Sequence, residues 1–74
     1  MTDGIMEIFV VDEDLEIFPT EVRKPDWKSE LGVCKTKIKG RAAFVQRGTW
    51  SEIVPCAGFE TRDEAELFKI KKGG

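Results

Sequence analysis

Histidine is absent from this 74-residue chain. With it goes the side chain that most often acts as a general base near neutral pH and as a transition-metal ligand. The two cysteines, Cys34 and Cys56, form no C-x-x-C pair, which excludes a zinc cluster of the usual spacing and a disulfide-dense scaffold. Both are expected as buried thiols in a reducing compartment. A bridge between them stays open, because sequence does not carry the geometry it requires. No apolar run approaches the ~20 residues that span a bilayer. The Met1 end carries Asp3 and Glu7 and lacks the basic start and apolar centre of a signal peptide. The expectation is a cytoplasmic protein with no membrane contact.

A phosphate-cradling G-x-x-x-x-G-K-[ST] loop is also missing. The acidic cluster Asp12, Glu13, Asp14 and Glu16 falls in an expected exposed turn rather than a pocket. Its D-x-D-x-E spacing lacks the central Gly and distal Glu of a calcium loop. The chain is therefore read as non-enzymatic, with no cofactor and no metal.

What is present is a short chain with 41% hydrophobic and 35% charged residues, a globular rather than disordered composition. A single domain over residues 1–74 is expected, and one this small buries only about 60% of its unfolded surface. The net charge of −2 conceals a division. Residues 1–30 carry nine acids against three bases, and residues 31–74 carry nine bases against five acids. The halves either pair internally or serve different partners.

Richness in β-branched and aromatic residues predicts strands over residues 5–11 and 15–22, with Asp12-Glu13-Asp14 as the turn of an acidic N-terminal hairpin spanning 1–24. Pro19 removes a ladder donor and marks an edge or a break. Residues 23–31 read as a connector with one helical turn, and the ring of Trp27 either covers one end of the core or stands exposed as an anchor. The stretch from Gly32 to Arg47 contains no acid. At a strand period of two it places Lys35, Lys37, Lys39 and Arg41 on one side and Cys34, Thr36, Ile38, Ala42 and Phe44 on the other. A break at Gly40, a turn at 47–49 and a returning strand over 50–57 complete a second, basic hairpin. Thr61 to Glu64 is a capping box that opens a C-terminal helix. The apolar face of this helix, Ala65, Leu67, Phe68 and Ile70, is expected on the Cys34, Ile38 and Phe44 side of the sheet. The fold class read from these signals is α+β, a small antiparallel sheet of two hairpins with one C-terminal helix packed on one face.

Residues 32–70 resemble the three-strand-plus-helix pattern of the AP2-type and integrase arm-binding DNA modules. The matching positions are Gly32-Val33, Gly40-Arg41, Ala43, Gly58-Phe59, Thr61 and Glu64-Ala65. The sequence departs from the pattern at Ala42, where the families carry an aromatic, and in its acidic N-terminal hairpin. The resemblance implies a sheet entering the major groove of DNA, which a two-stranded ribbon fits. Arg41 and Arg47 would then address base edges with bidentate forks, and Lys35, Lys37 and Lys39 would contact phosphates.

The alternative is a protein-interaction module or inhibitor in which Asp12, Glu13, Asp14 and Glu16 engage a basic protein partner, by imitating nucleic-acid charge, with Phe9, Phe18 or Trp27 as apolar anchors. Extended strands also permit edge pairing with a partner or in a homodimer, so monomer and homodimer both stay open. A row of lysines is, besides, a common way to solubilise an exposed sheet face.

Overall fold

The computed structural model describes residues 4–73. The elements in chain order are β1 (Ile5–Val11), β2 (Ile17–Arg23), α1 (Lys24–Trp27), β3 (Val33–Ile38), β4 (Arg41–Arg47), β5 (Ala57–Phe59) and α2 (Arg62–Gly73). The strands form one sheet in the order β2-β1-β5-β4-β3. All neighbours run antiparallel except β4 and β5, which are parallel. The two outer strands, β2 and β3, curl toward each other, so the sheet is nearly closed into a barrel.

This corrects the expected pair of antiparallel hairpins with one helix. The second hairpin turns at Lys39-Gly40, where both residues have positive φ (55° and 80°) and Ile38 pairs with Arg41. That is the backbone of a two-residue primed turn, whose twist matches the strands it joins. The segment expected as a returning strand, residues 50–57, is a loop except for its last residue. It carries the chain across to β5, which lies between the two hairpins and joins them.

The barrel closes through side chains rather than a backbone ladder. The Thr20 and Thr36 hydroxyls lie 2.9 Å apart. The Lys37 carbonyl is 3.2 Å from Thr20 Oγ1, and the Glu21 carbonyl is 2.9 Å from Thr36 Oγ1. Since the Glu21 backbone faces this seam, so does that of Pro19 two residues earlier. Pro19 has no N–H to donate there, and the seam stops short of a regular pairing.

Alternation along the strands supplies two cores. Inside the barrel lie Ile8, Val10, Val22, Trp27, Cys34, Val45 and Cys56. On the outer side, under α2, lie Val11, Ala57, Phe59 and Ala65, with Phe9, Leu15, Ile17, Trp50 and Phe68 packed against them. The helix therefore covers β1 and β5, not the expected Cys34, Ile38 and Phe44 side. Ala65 is buried and Phe68 half-buried, whereas Leu67 and Ile70 face solvent. The Glu64 amide donates to Thr61 Oγ1 at 3.3 Å, and the Thr61 hydroxyl reaches Glu64 Oε1 at 3.0 Å. The helix start thus has its cap.

Gly58 fixes how closely the hairpins approach. A Cβ there would lie 2.7 Å from Val45 Cγ1, 2.8 Å from Trp27 Cζ3 and 3.2 Å from Ile8 Cδ1. The absence of a side chain lets both hairpins and the Trp27 ring close on one point.

Candidate functional site

The β1–β2 loop is built around Asp12. Its Oδ1 accepts the amides of Asp14 (3.0 Å) and Glu16 (2.9 Å), while its own amide donates to the Glu16 carbonyl. These bonds satisfy the carboxylate of a side chain that is only 12% exposed and hold the loop tight enough to put Leu15 at φ 63°. An Asp here can do what a Leu or Val cannot, bonding the backbone of its own turn.

Lys39 crosses from the other hairpin turn onto this loop. Its Nζ is 2.7 Å from Glu16 Oε1 and 3.6 Å from Asp12 Oδ2, and it lies 5.0 Å above the Phe18 ring. The hydrogen bond to Glu16 raises the Lys39 pKa. The ligand oxygens of Asp12, Asp14 and Glu16 lie within 4.8 Å of one another. The position of the ammonium and the two amides on Asp12 give this cluster an internal counter-charge.

The row of basic residues is divided by the two-residue turn. A strand period counted straight through Lys39-Gly40 puts Ala42 and Phe44 inside. The turn reverses that parity, and both are exposed. Lys35 stands opposite Phe44 and Lys37 opposite Ala42 on the outward face. Arg41 belongs to the other parity, at the turn end of β4. Arg47 donates from Nη1 to the Trp27 carbonyl at 2.6 Å, and its Cβ packs where Gly32, at φ 65°, leaves no room for a side chain. Of the five basic residues, then, Lys39 and Arg47 are engaged within the fold, and only Lys35 and Lys37 share an open surface. Across the seam that surface continues into Glu21, which stands opposite Glu7 on the outward side of β1 and β2.

The acidic candidates divide in the same way. Asp12 and Glu16 shape the loop, whereas Glu13 and Asp14 are exposed at its tip and make no ion pair among the described residues. Trp27 is 2% exposed, so its ring is a core element and not a surface anchor. Phe9 packs under α2 and Phe18 lies beneath Lys39, which withdraws those anchors as well.

Sequence reasoning missed a cleft beside the acidic loop. Glu13, Trp50, Ser51 and Pro55 line a shallow space of about 210 Å³. Trp50 is held edge-on to Phe68 with ring centroids 4.9 Å apart, so its position is set by α2. The 48–56 loop is braced by Ser51, whose amide donates to the Val54 carbonyl (2.9 Å) and whose Oγ accepts the Val54 amide (3.1 Å). Ile53, at its tip, is 89% exposed. The signal available in the sequence was Pro55 within W-S-E-I-V-P, which breaks a strand and marks a loop.

Cys34 and Cys56 are free and buried in the inner core. Burial is the main cause that pushes both thiols above their ordinary pKa, the opposite of what an activated nucleophile needs. No helix among the described residues is long and apolar enough to cross a membrane. No family model, curated protein or solved structure matches this chain.

Proposed function

We propose that this chain is a small protein-interaction module whose acidic β1–β2 loop, together with the cleft at Trp50, engages a basic segment of a protein partner. The observation that carries this reading is the placement of exposed Glu13 beside Trp50, Ser51 and Pro55 around one cleft. An aromatic surface rimmed by a carboxylate suits an apolar side chain next to Lys or Arg. The apolar contact supplies affinity and the charge supplies orientation and encounter rate. Asp14 at the loop tip and Glu52 beside exposed Ile53 extend the same acidic, partly apolar surface. Asp12 and Glu16 hold its shape. Two unpaired buried thiols fit a reducing compartment such as the cytoplasm.

A nucleic-acid reading has one specific observation in its favour, the 53% exposed Phe44 opposite Lys35 with Lys37 nearby. An exposed ring beside lysines can stack an unpaired base. Glu7 and Glu21 on the adjoining surface oppose that field, which leaves the acidic loop as the better supported site.

The test is an amide NMR titration with three probes: a short peptide carrying Leu or Phe between arginines, the same peptide with glutamates for arginines, and a single-stranded oligonucleotide. Shifts confined to Glu13, Asp14 and residues 50–55 with the arginine peptide, lost in Glu13→Lys, are expected. Shifts at Lys35, Lys37 and Phe44 with the oligonucleotide alone would overturn the reading in favour of nucleic acid. Silence with all three would overturn it outright.

A further inference from the structure

Among the described residues, helix α2 leaves its outer face without a neighbour. At 3.6 residues per turn Ala65 and Phe68 point to the sheet, and Asp63, Leu67 and Ile70 lie on the opposite side. Leu67 is 60% and Ile70 67% exposed, two branched aliphatics in successive turns on a face that meets water. Glu64 and Lys71 lie on one flank of Leu67. These three residues, with Phe59, Phe68 and Gly48, line a shallow hollow of about 250 Å³. The charges are ordered along the axis, with Asp63 and Glu64 in the first turn and Lys71 and Lys72 in the last.

We propose that this face is the interface of a two-fold homodimer in which α2 packs antiparallel on α2 of a second copy. A two-fold interface brings the same surface together, so the surface must complement itself. A helix that is acidic at its start and basic at its end does so when antiparallel, and opposes like with like when parallel. The two-fold axis lies perpendicular to the plane of the paired helices and keeps each flank on its own side. Glu64 of one copy therefore meets Lys71 of the other, twice per dimer. Leu67 of each copy then lies over the hollow of its mate, which is floored by Phe59 and Phe68. The charge order selects a second copy as occupant, because a basic or an acidic partner would match only half of the helix. A contact confined to one helix per copy falls below the ~1,200 Å² of standard interfaces, so the dimer is weak and forms by mass action. The interface lies on α2 and does not depend on the acidic loop.

Sedimentation equilibrium over rising concentration tests the proposal. The apparent mass of the wild-type chain is expected to climb from 8.4 kDa toward twice that value. Leu67→Glu is expected to stay monomeric and to melt like the wild-type chain at dilutions where that chain is also monomeric, since Leu67 is 60% exposed in the single copy. Glu64→Lys and Lys71→Glu should each be monomeric alone, because each turns both cross-pairs into like charges. A one-to-one mixture of the two variants should associate, because every cross-pair in the mixed dimer again joins one acid to one base. A wild-type mass fixed at 8.4 kDa up to millimolar concentration overturns the dimer. Association that survives Leu67→Glu, or single variants that stay monomeric when mixed, overturns this interface.

Discussion

The two hairpins have nearly the same strand lengths and opposite surroundings. β1 and β2 are joined by a loop tied to the Asp12 carboxylate, and β1 is covered on both sides, by the barrel interior and by α2. β3 and β4 are joined by two residues of positive φ, and their outward face, with Lys35, Lys37 and Phe44, meets solvent. Turn chemistry accounts for the difference in register. A side-chain clasp holds the first loop, which tolerates a longer excursion, while the second turn fixes register by length alone and exchanges the faces of β4. Lys39 then links the two, reaching from the second turn to the acids of the first loop.

Variants at the meeting point of the hairpins should erase the contrast, and those in one turn should sharpen it. Trp27→Ala removes a ring that contacts both and is expected to cost about 3–5 kcal/mol, a large share of the stability of so small a domain. Urea unfolding would measure this, with amide protection falling in both hairpins together. Gly58→Ala forces a methyl against Val45, Trp27 and Ile8 and should cost about 1–3 kcal/mol by overpacking, again lowering protection in both.

Asp12→Ala leaves two loop amides without their acceptor and should cost about 1–2 kcal/mol. Hydrogen exchange should rise around residues 12–17 and leave β3 and β4 protected. If both hairpins loosen equally, the first loop is not an independent unit. Gly40→Ala imposes a positive φ on an L side chain in open space. It should cost roughly 1 kcal/mol and loosen the second hairpin first.

The smallest effect is on the pH profile. Cys34 and Cys56 hold their protons more tightly folded than unfolded, and Lys39 does the same through Glu16. The unfolded chain therefore loses these protons first, and stability should be full below about pH 9 and decline above it. Thermal melts from about pH 7 to about pH 12 should show that decline flattened in Cys34→Ala and Cys56→Ala. The part due to Lys39, which appears only above the ordinary lysine range, should vanish in Lys39→Met.

Much of the local structure was legible. The extent of β1, the acidic turn, the edge role of Pro19, the capped start of α2 and the burial of both thiols follow from β-branched and aromatic composition, alternation, proline chemistry and the Thr61–Glu64 pair, all of which act over a few residues. The Lys-Gly turn is written at positions 39–40, yet strand period alone reads it as a break with the strand continuing past it, and that single misreading inverts Ala42 and Phe44. Of the site, Glu13 and Asp14 stood out as exposed acids. Their neighbour Trp50 did not, because it reaches them through the packing of α2.

By itself, then, the sequence determined which segments extend, where the helix starts, and that charge is divided between the two halves, because each depends on neighbouring residues and their backbone preferences. Only the tertiary structure decided that β5 runs parallel to β4 and splices the hairpins. The same holds for the engagement of Lys39 and Arg47 within the fold, and for the placing of an aromatic cleft beside the acidic loop. Those outcomes depend on contacts between residues 20 or more positions apart, such as Arg47 with the Trp27 carbonyl and Lys39 with Glu16. Period and propensity carry no information about such distances. The space left empty at Gly58, where Val45, Trp27 and Ile8 converge, lets the two hairpins close on β5.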